Sequence, residues 1–319
     1  MFIRSSTLTL LMAAMLRSAT CATVDSPSDP IPSEWVDVLP MAWDNTEAMS
    51  KELTPESQFT KYQNWALDQI MDGNGTVNIC MRWHSNLTLD EDTRNALMVE
   101  QIKQYQQWIE WLPGWDNFPF KEVDFKVVAW AVANDSQLVG HRDDFHVYTE
   151  FEDDDGLPTC DPGCSRHLHP DGDYSGCALG PDHRFHHYFL IDNTWGDRDM
   201  GAAGGEGFTI SEYGWKNVGS KLGDWPILVH ETGHTFGFRD YINDMTHNTS
   251  VCSISWLPPN VTYQLVMEPT DQGAYLPKVT RFEGWFIRYL WSRFSRTRGW
   301  QKDDGIAFPP TTDCPPGSF

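Results

Sequence analysis

The distribution of apolar and polar positions divides the chain into a mixed series of helices and strands. A short basic start, Met1 to Arg4, precedes an apolar run from Leu8 to Leu16. That run is too short for the roughly 20 residues of a membrane span. With the small residues Thr20-Cys21-Ala22 after it, it reads as a secretion signal covering residues 1–22. Residues 23–50, rich in Pro, Ser and Asp, lack clear periodicity and read as an extended arm that could serve as a short pro-segment. Thr54-Pro55 predicts a helix start, running to about Met71 and stopped by Asp72-Gly73-Asn74-Gly75. Thr76 to Trp83 alternates as a strand. Thr88-Leu89-Asp90-Glu91 has the pattern of a capping box opening a long helix to about Trp111.

Val123 to Ala133 is β-rich, and Phe145 to Phe151 and Phe185 to Asp192 are further strand candidates. Residues 152–182 read as a Cys-, Asp- and Gly-rich loop, and Gly201 to Gly207 as a flexible Gly-rich loop. Asp224 can cap a helix with Pro226 in its first turn, ending at Gly237. Thr280-Arg281-Phe282-Glu283 is a second capping box, for a helix to about Phe294. The order predicts an α+β (mixed α/β) chain.

Removal of the leader changes the cysteine count from seven to six: Cys80, Cys160, Cys164, Cys177, Cys252 and Cys314. An even number in a secreted chain predicts three disulfides, with connectivity left open. Sequons at Asn74, Asn86, Asn134, Asn248 and Asn260 fit a glycosylated, extracellular surface. The formal net charge is -22, and loss of Arg4 and Arg17 with the leader makes it more negative. Such acidity disfavours nucleic acid and anionic membranes as partners. No later segment is apolar for long enough to enter a membrane.

The chemistry concentrates in His230-Glu231-Thr232-Gly233-His234. Histidines four apart on a helix share a face, one turn apart. Glu231, offset from them, can reach a water on a metal without occupying the metal, and can act as general base and then acid. Gly237 permits a sharp turn, after which Asp240 can return as a third ligand to an open zinc site.

The run from His230 to Asp240 resembles the extended metzincin motif in its Asp variant, as in snapalysin-like peptidases. The chain is also similar to secreted fungal and actinobacterial proteins that join this motif to an Asp-Gly-Asp-Tyr-Ser-Gly segment, here Asp171 to Gly176. The resemblance implies a metzincin-like zincin fold over residues 51–319: a twisted mixed sheet, backing and active-site helices, and a C-terminal helix. Its upper lobe would run to about residue 237, with the lower lobe after it. It implies one catalytic Zn2+ on His230, His234 and Asp240, a Met-turn at Val266-Met267-Glu268-Pro269, and a protein or peptide substrate. Many metzincins place a Tyr where this chain has Pro269, which leaves the oxyanion helper unassigned, with Tyr275 a weak substitute. No Cys-switch latency motif is present.

Competing assignments remain at several positions. Asp244 is another third-ligand candidate, and Glu268 would be the ligand in a gluzincin. Cys160, Cys164, His167, His169 and Cys177 could hold a structural zinc, although the secretory setting favours disulfides. Glu150 to Asp155 could take Ca2+, but it lacks EF-hand spacing and reads more simply as a solvated acidic loop. His183, His186 and His187 read as exposed strand histidines that could line a cleft, and Trp108, Trp111 and Trp115 as core residues. The strand from Phe185 to Asp192 is expected to border the cleft and pair with substrate. The function expected is a secreted zinc endopeptidase; the alternative is a non-catalytic carbohydrate- or cell-surface-binding protein on the same scaffold.

Overall fold

A computed structural model describes residues 24–53, 61–217, 225–240, 265–267 and 278–302. The predicted leader, Thr54-Pro55, Asp224, Asp244, Glu268, Pro269, Tyr275, Cys252, Cys314, Asn248 and Asn260 lie outside the described residues. The chain is α+β. Its helices are α1 (Val38–Leu53), α2 (Ala66–Asp72), α3 (Glu91–Ile109), α4 (Glu212–Asn217), α5 (Pro226–Thr235) and α6 (Arg281–Thr297). Its strands are β1 (Thr76–His84), β2 (Asp124–Val132), β3 (His146–Tyr148), β4 (His187–Asp192), β5 (Gly201–Gly204) and β6 (Gly207–Ser211).

The strands form one sheet in the order β3-β2-β1-β4-β6-β5. All neighbouring pairs are parallel except β5 against β6. Alternation along β1 sorts its side chains between two layers. Val77, Ile79, Met81 and Trp83 face the main core, which also takes residues from α3, α5 and α6. Cys80 joins a second cluster with Tyr148, Cys160, Cys164, Cys177 and Phe185. The Cys-rich loop contributes to that second cluster. It is pinned by disulfides Cys80–Cys160 and Cys164–Cys177, so these four cysteines are paired with each other rather than arranged around a structural zinc.

Four expectations about elements need correction. The arm of residues 23–50 is not extended throughout, because α1 lies largely within it. Val38, Leu39, Ala42 and Trp43 are buried at helical spacing, and Trp43 meets Tyr289 and Phe294 of α6. The helix expected up to Met71 is, among the described residues, only the short α2, which begins after Trp65. The Thr88–Glu91 box does not form. Asp90 caps α3 through Thr93 N, and Glu91 instead accepts from His141 N. The Gly-rich stretch from Gly201 is an edge strand and hairpin rather than a flexible loop.

The second box does form. Thr280 and Glu283 satisfy each other's backbone amides at the start of α6. No helix among the described residues is long and apolar enough to cross a membrane.

Candidate metal centre

Helix α5 starts with Pro226 after Trp225 and ends at Thr235, just before Gly237 turns with φ +95°. That turn brings Asp240 back over the helix. Asp240 Oδ1 lies 3.1 Å from His230 Nε2 and 3.3 Å from His234 Nε2. Two ligands on a tetrahedral zinc, each about 2.05 Å from it, are about 3.3 Å apart, so the three atoms have the spacing of a metal-ligand set.

The second nitrogen of each imidazole fixes the polarity of this cluster. His230 Nδ1 is 2.7 Å from Val266 O, and His234 Nδ1 is 2.8 Å from Phe238 O. A carbonyl can only accept, so both Nδ1 atoms carry protons and donate. Both Nε2 atoms then face the same carboxylate oxygen. Three lone pairs converging on one point require a cation or protons between them. The backbone contacts are of the kind that orient metal-binding histidines. His230, His234 and Asp240 could thus hold a metal ion, on chemistry as well as spacing.

Electrostatics follow from burial and this convergence. Burial works against the charged form of Asp240, but hydrogen bonding to His230 and His234 outweighs it and holds the carboxyl below its ordinary range. Burial disfavours protonated His234, yet contact with Asp240 and the field of Glu231 raise its pKa. Burial dominates at Glu231 and pushes its carboxyl up, against the pull of His234 and His230. Glu231 is buried, and its Oε2 has no hydrogen-bond partner.

Two glycines make room for the centre. A Cβ at Gly201 on β5 would stand 2.4 Å from Glu231 Oε1 and 2.5 Å from its Cγ. The edge strand therefore runs directly against the carboxylate. A Cβ at Gly233 would stand 2.3 Å from Met267 Sδ and 2.7 Å from the Trp108 ring, so Met267 packs closely against α5 beside the two histidines. Trp108 Nε1 donates to Val229 O of α5 at 3.0 Å. Leu265, Val266 and Met267 are all buried.

The strand expected at the cleft does not border it. β4 is interior, between β1 and β6, and its hydrogen-bonding edges are taken by those neighbours. Among the described residues, the sheet edge near Glu231 belongs to β5. His186 and His187 are buried rather than exposed. His186 Nδ1 accepts from Asn78 N, and the Tyr105 hydroxyl lies 3.2 Å from both ring nitrogens of His187.

Trp108, Trp111 and Trp115 are buried core residues. Asp153, in the acidic loop from Glu150 to Asp155, pairs with buried Arg82 and accepts from Asp155 N and Leu157 N. That loop offers no metal-holding group of three among the described residues. In the segment from Asp171 to Gly176, Asp171 and Asp173 accept from the backbone of Asp173 and Ser175, closing a turn on itself. Asn74, Asn86 and Asn134 are exposed, as glycan acceptors must be.

Sequence reasoning missed three contributors to the centre. Gly201 was visible only as part of a Gly-rich tract, and Gly233 only as a variable position of the motif. Glu283, recognised as a cap, also accepts from Met267 N at 2.9 Å. No protein-family model, curated protein or solved structure matches this chain.

Proposed function

We propose that this protein is a secreted, zinc-dependent endopeptidase of metzincin type. The observation that carries the reading is the convergence of His230 Nε2, His234 Nε2 and Asp240 Oδ1, with the Glu231 carboxylate, its Oε2 without a hydrogen-bond partner, beside them against an edge strand. Bound zinc would supply Lewis acidity toward a scissile carbonyl and bring the pKa of a water to about 7. His230, His234 and Asp240 would hold the ion, and Val266 O and Phe238 O fix the orientation of the two imidazoles.

Glu231 takes the proton of the attacking water and later delivers it to the leaving nitrogen. Burial pushes its carboxyl up, which favours holding a proton between the two transfers. Extended substrate pairs with the edge strand β5, where Gly201 lets the backbone lie against Glu231. Met267 serves as the Met-turn residue beneath the histidines. The leader, the paired cysteines and the exposed sequons support an extracellular destination.

The test is Glu231→Gln, which keeps the side chain's shape and removes the base. Zinc content should remain at one per chain, while chelator-sensitive cleavage of casein or a quenched peptide set falls about 10²- to 10⁴-fold. Cleavage at the wild-type rate would show that Glu231 is not the base.

A second reading, carbohydrate binding without catalysis, draws on a separate feature. A cavity of about 450 Å³ is lined by Gln63, Asp72, Arg166 and Trp300 among others, and by none of the candidate metal ligands. An aromatic ring among planar polar groups suits sugar hydroxyls. Saccharide binding retained by Glu231→Gln, together with absence of peptidase activity in the wild type, would favour it.

A further inference from the structure

We propose that Glu283 is a positioning residue for the metal centre, acting on His230 through the single peptide unit that joins Val266 to Met267. This rests on the reading of His230 as a metal ligand. The C=O of that unit belongs to Val266 and accepts from His230 Nδ1 at 2.7 Å. Its N–H belongs to Met267 and donates to Glu283 Oε1 at 2.9 Å. A trans peptide is planar, and its N–H and C=O point in opposite directions. One rigid plane therefore carries His230 on one side and a buried carboxylate on the other.

The second oxygen of Glu283 is also used. Oε2 accepts from Thr280 N at 3.0 Å and from Thr280 Oγ1 at 2.8 Å. Glu283 thus ties the first turn of α6 to the segment under the histidines, and its two oxygens face donors on both sides. A carboxyl oxygen accepting from the N–H polarises the peptide and strengthens its C=O as an acceptor. His230 Nδ1–H is held more firmly, and Nε2 becomes a better donor to a metal. The arrangement places a peptide plane inside what is elsewhere a direct carboxylate–histidine contact.

The alternative is that Glu283 only caps α6, and Gln separates the two. A capping box takes Glu or Gln at this position, so a cap alone makes Glu283→Gln silent. A tether does not tolerate it. If the amide oxygen stays on Thr280 N, the NH2 group meets Met267 N–H, donor against donor. Reversing the amide moves the same conflict to Thr280 N–H.

The experiment compares Glu283→Gln with Thr280→Ala, which weakens the cap and leaves Oε1 on Met267 N. Zinc affinity is measured by competition with a chromophoric chelator. Exchange of the His230 Nδ1 proton is followed by nitrogen-15 NMR on the metal-free protein, with His230→Gln for assignment. Glu283→Gln is expected to bind zinc about 10- to 100-fold more weakly and to exchange the Nδ1 proton faster, while Thr280→Ala matches wild type in both. Glu283→Asp retains the carboxyl but is one methylene short of both partners, and it is read the same way if the Gln variant does not fold. Wild-type zinc affinity and wild-type exchange in the Glu283 variants would overturn the proposal. A wild-type protein that binds no zinc would count against the metal reading alone, and the exchange measurement would still decide the tether.

Discussion

At the scale of single residues, the centre depends on atoms that are present and on atoms that are missing. Asp240 supplies the third convergent lone pair. Asp240→Ala should weaken zinc binding and abolish activity together, whereas Asp244→Ala and Glu268→Ala should keep wild-type zinc content. Metal analysis of the three variants checks this, and loss of zinc in either of the latter two with retention in the first would reassign the ligand. Gly201 acts by having no side chain. In Gly201→Ala the new methyl competes for the space of the Glu231 carboxylate. Zinc content should stay intact while kcat falls, by about 10²-fold if the carboxylate moves by 1 Å; an unchanged kcat would show that the strand can retreat.

A third residue-scale prediction concerns His187, whose burial depresses its pKa to about 3. Between that value and the ordinary histidine range near 6.5, the unfolded chain holds a proton that the folded chain refuses. Stability therefore falls as pH falls through this window, by about 1.4 kcal/mol per pH unit for one such group. Denaturant titrations at several pH values should show that slope, shallower in His187→Gln.

At the scale of elements, local patterns predicted types well and places poorly. β1, β2, α3, α5 and α6 fall close to their expected spans because alternation, helical periodicity and caps act over a few residues. The interior position of β4 and the edge position of β5 could not be read. Each depends on which distant strands claim the neighbouring hydrogen bonds. A Gly-rich stretch resembles a loop until a partner such as β6 pairs with it. α1 was masked by Pro and Asp around it, and its buried face has meaning only against α6. Trp43→Ala should cost about 3–5 kcal/mol in unfolding free energy, because the ring packs on Tyr289 and Phe294. A silent Trp43→Ala would mean that the segment is a dispensable arm after all.

At the scale of the whole molecule, helices cover one face of the sheet and the disulfide-pinned loop packs at the other, with the centre beside the β5 edge. The chain itself determined the chemistry of that centre. His230, Glu231, His234, Gly237 and Asp240 lie within eleven residues, so one helix and one turn suffice to bring them together. It likewise predicted pairing for the four cysteines that the structure describes, which form two disulfides. Tertiary structure decided the rest: which cysteines met, which strand lies at the sheet edge among the described residues, and what supports His230 from behind. Cys80 finds Cys160 across 80 residues, and Glu283 meets Met267 across 16. Neither meeting is encoded in a local pattern, because both depend on how α6, the sheet and the loop settle against a shared core.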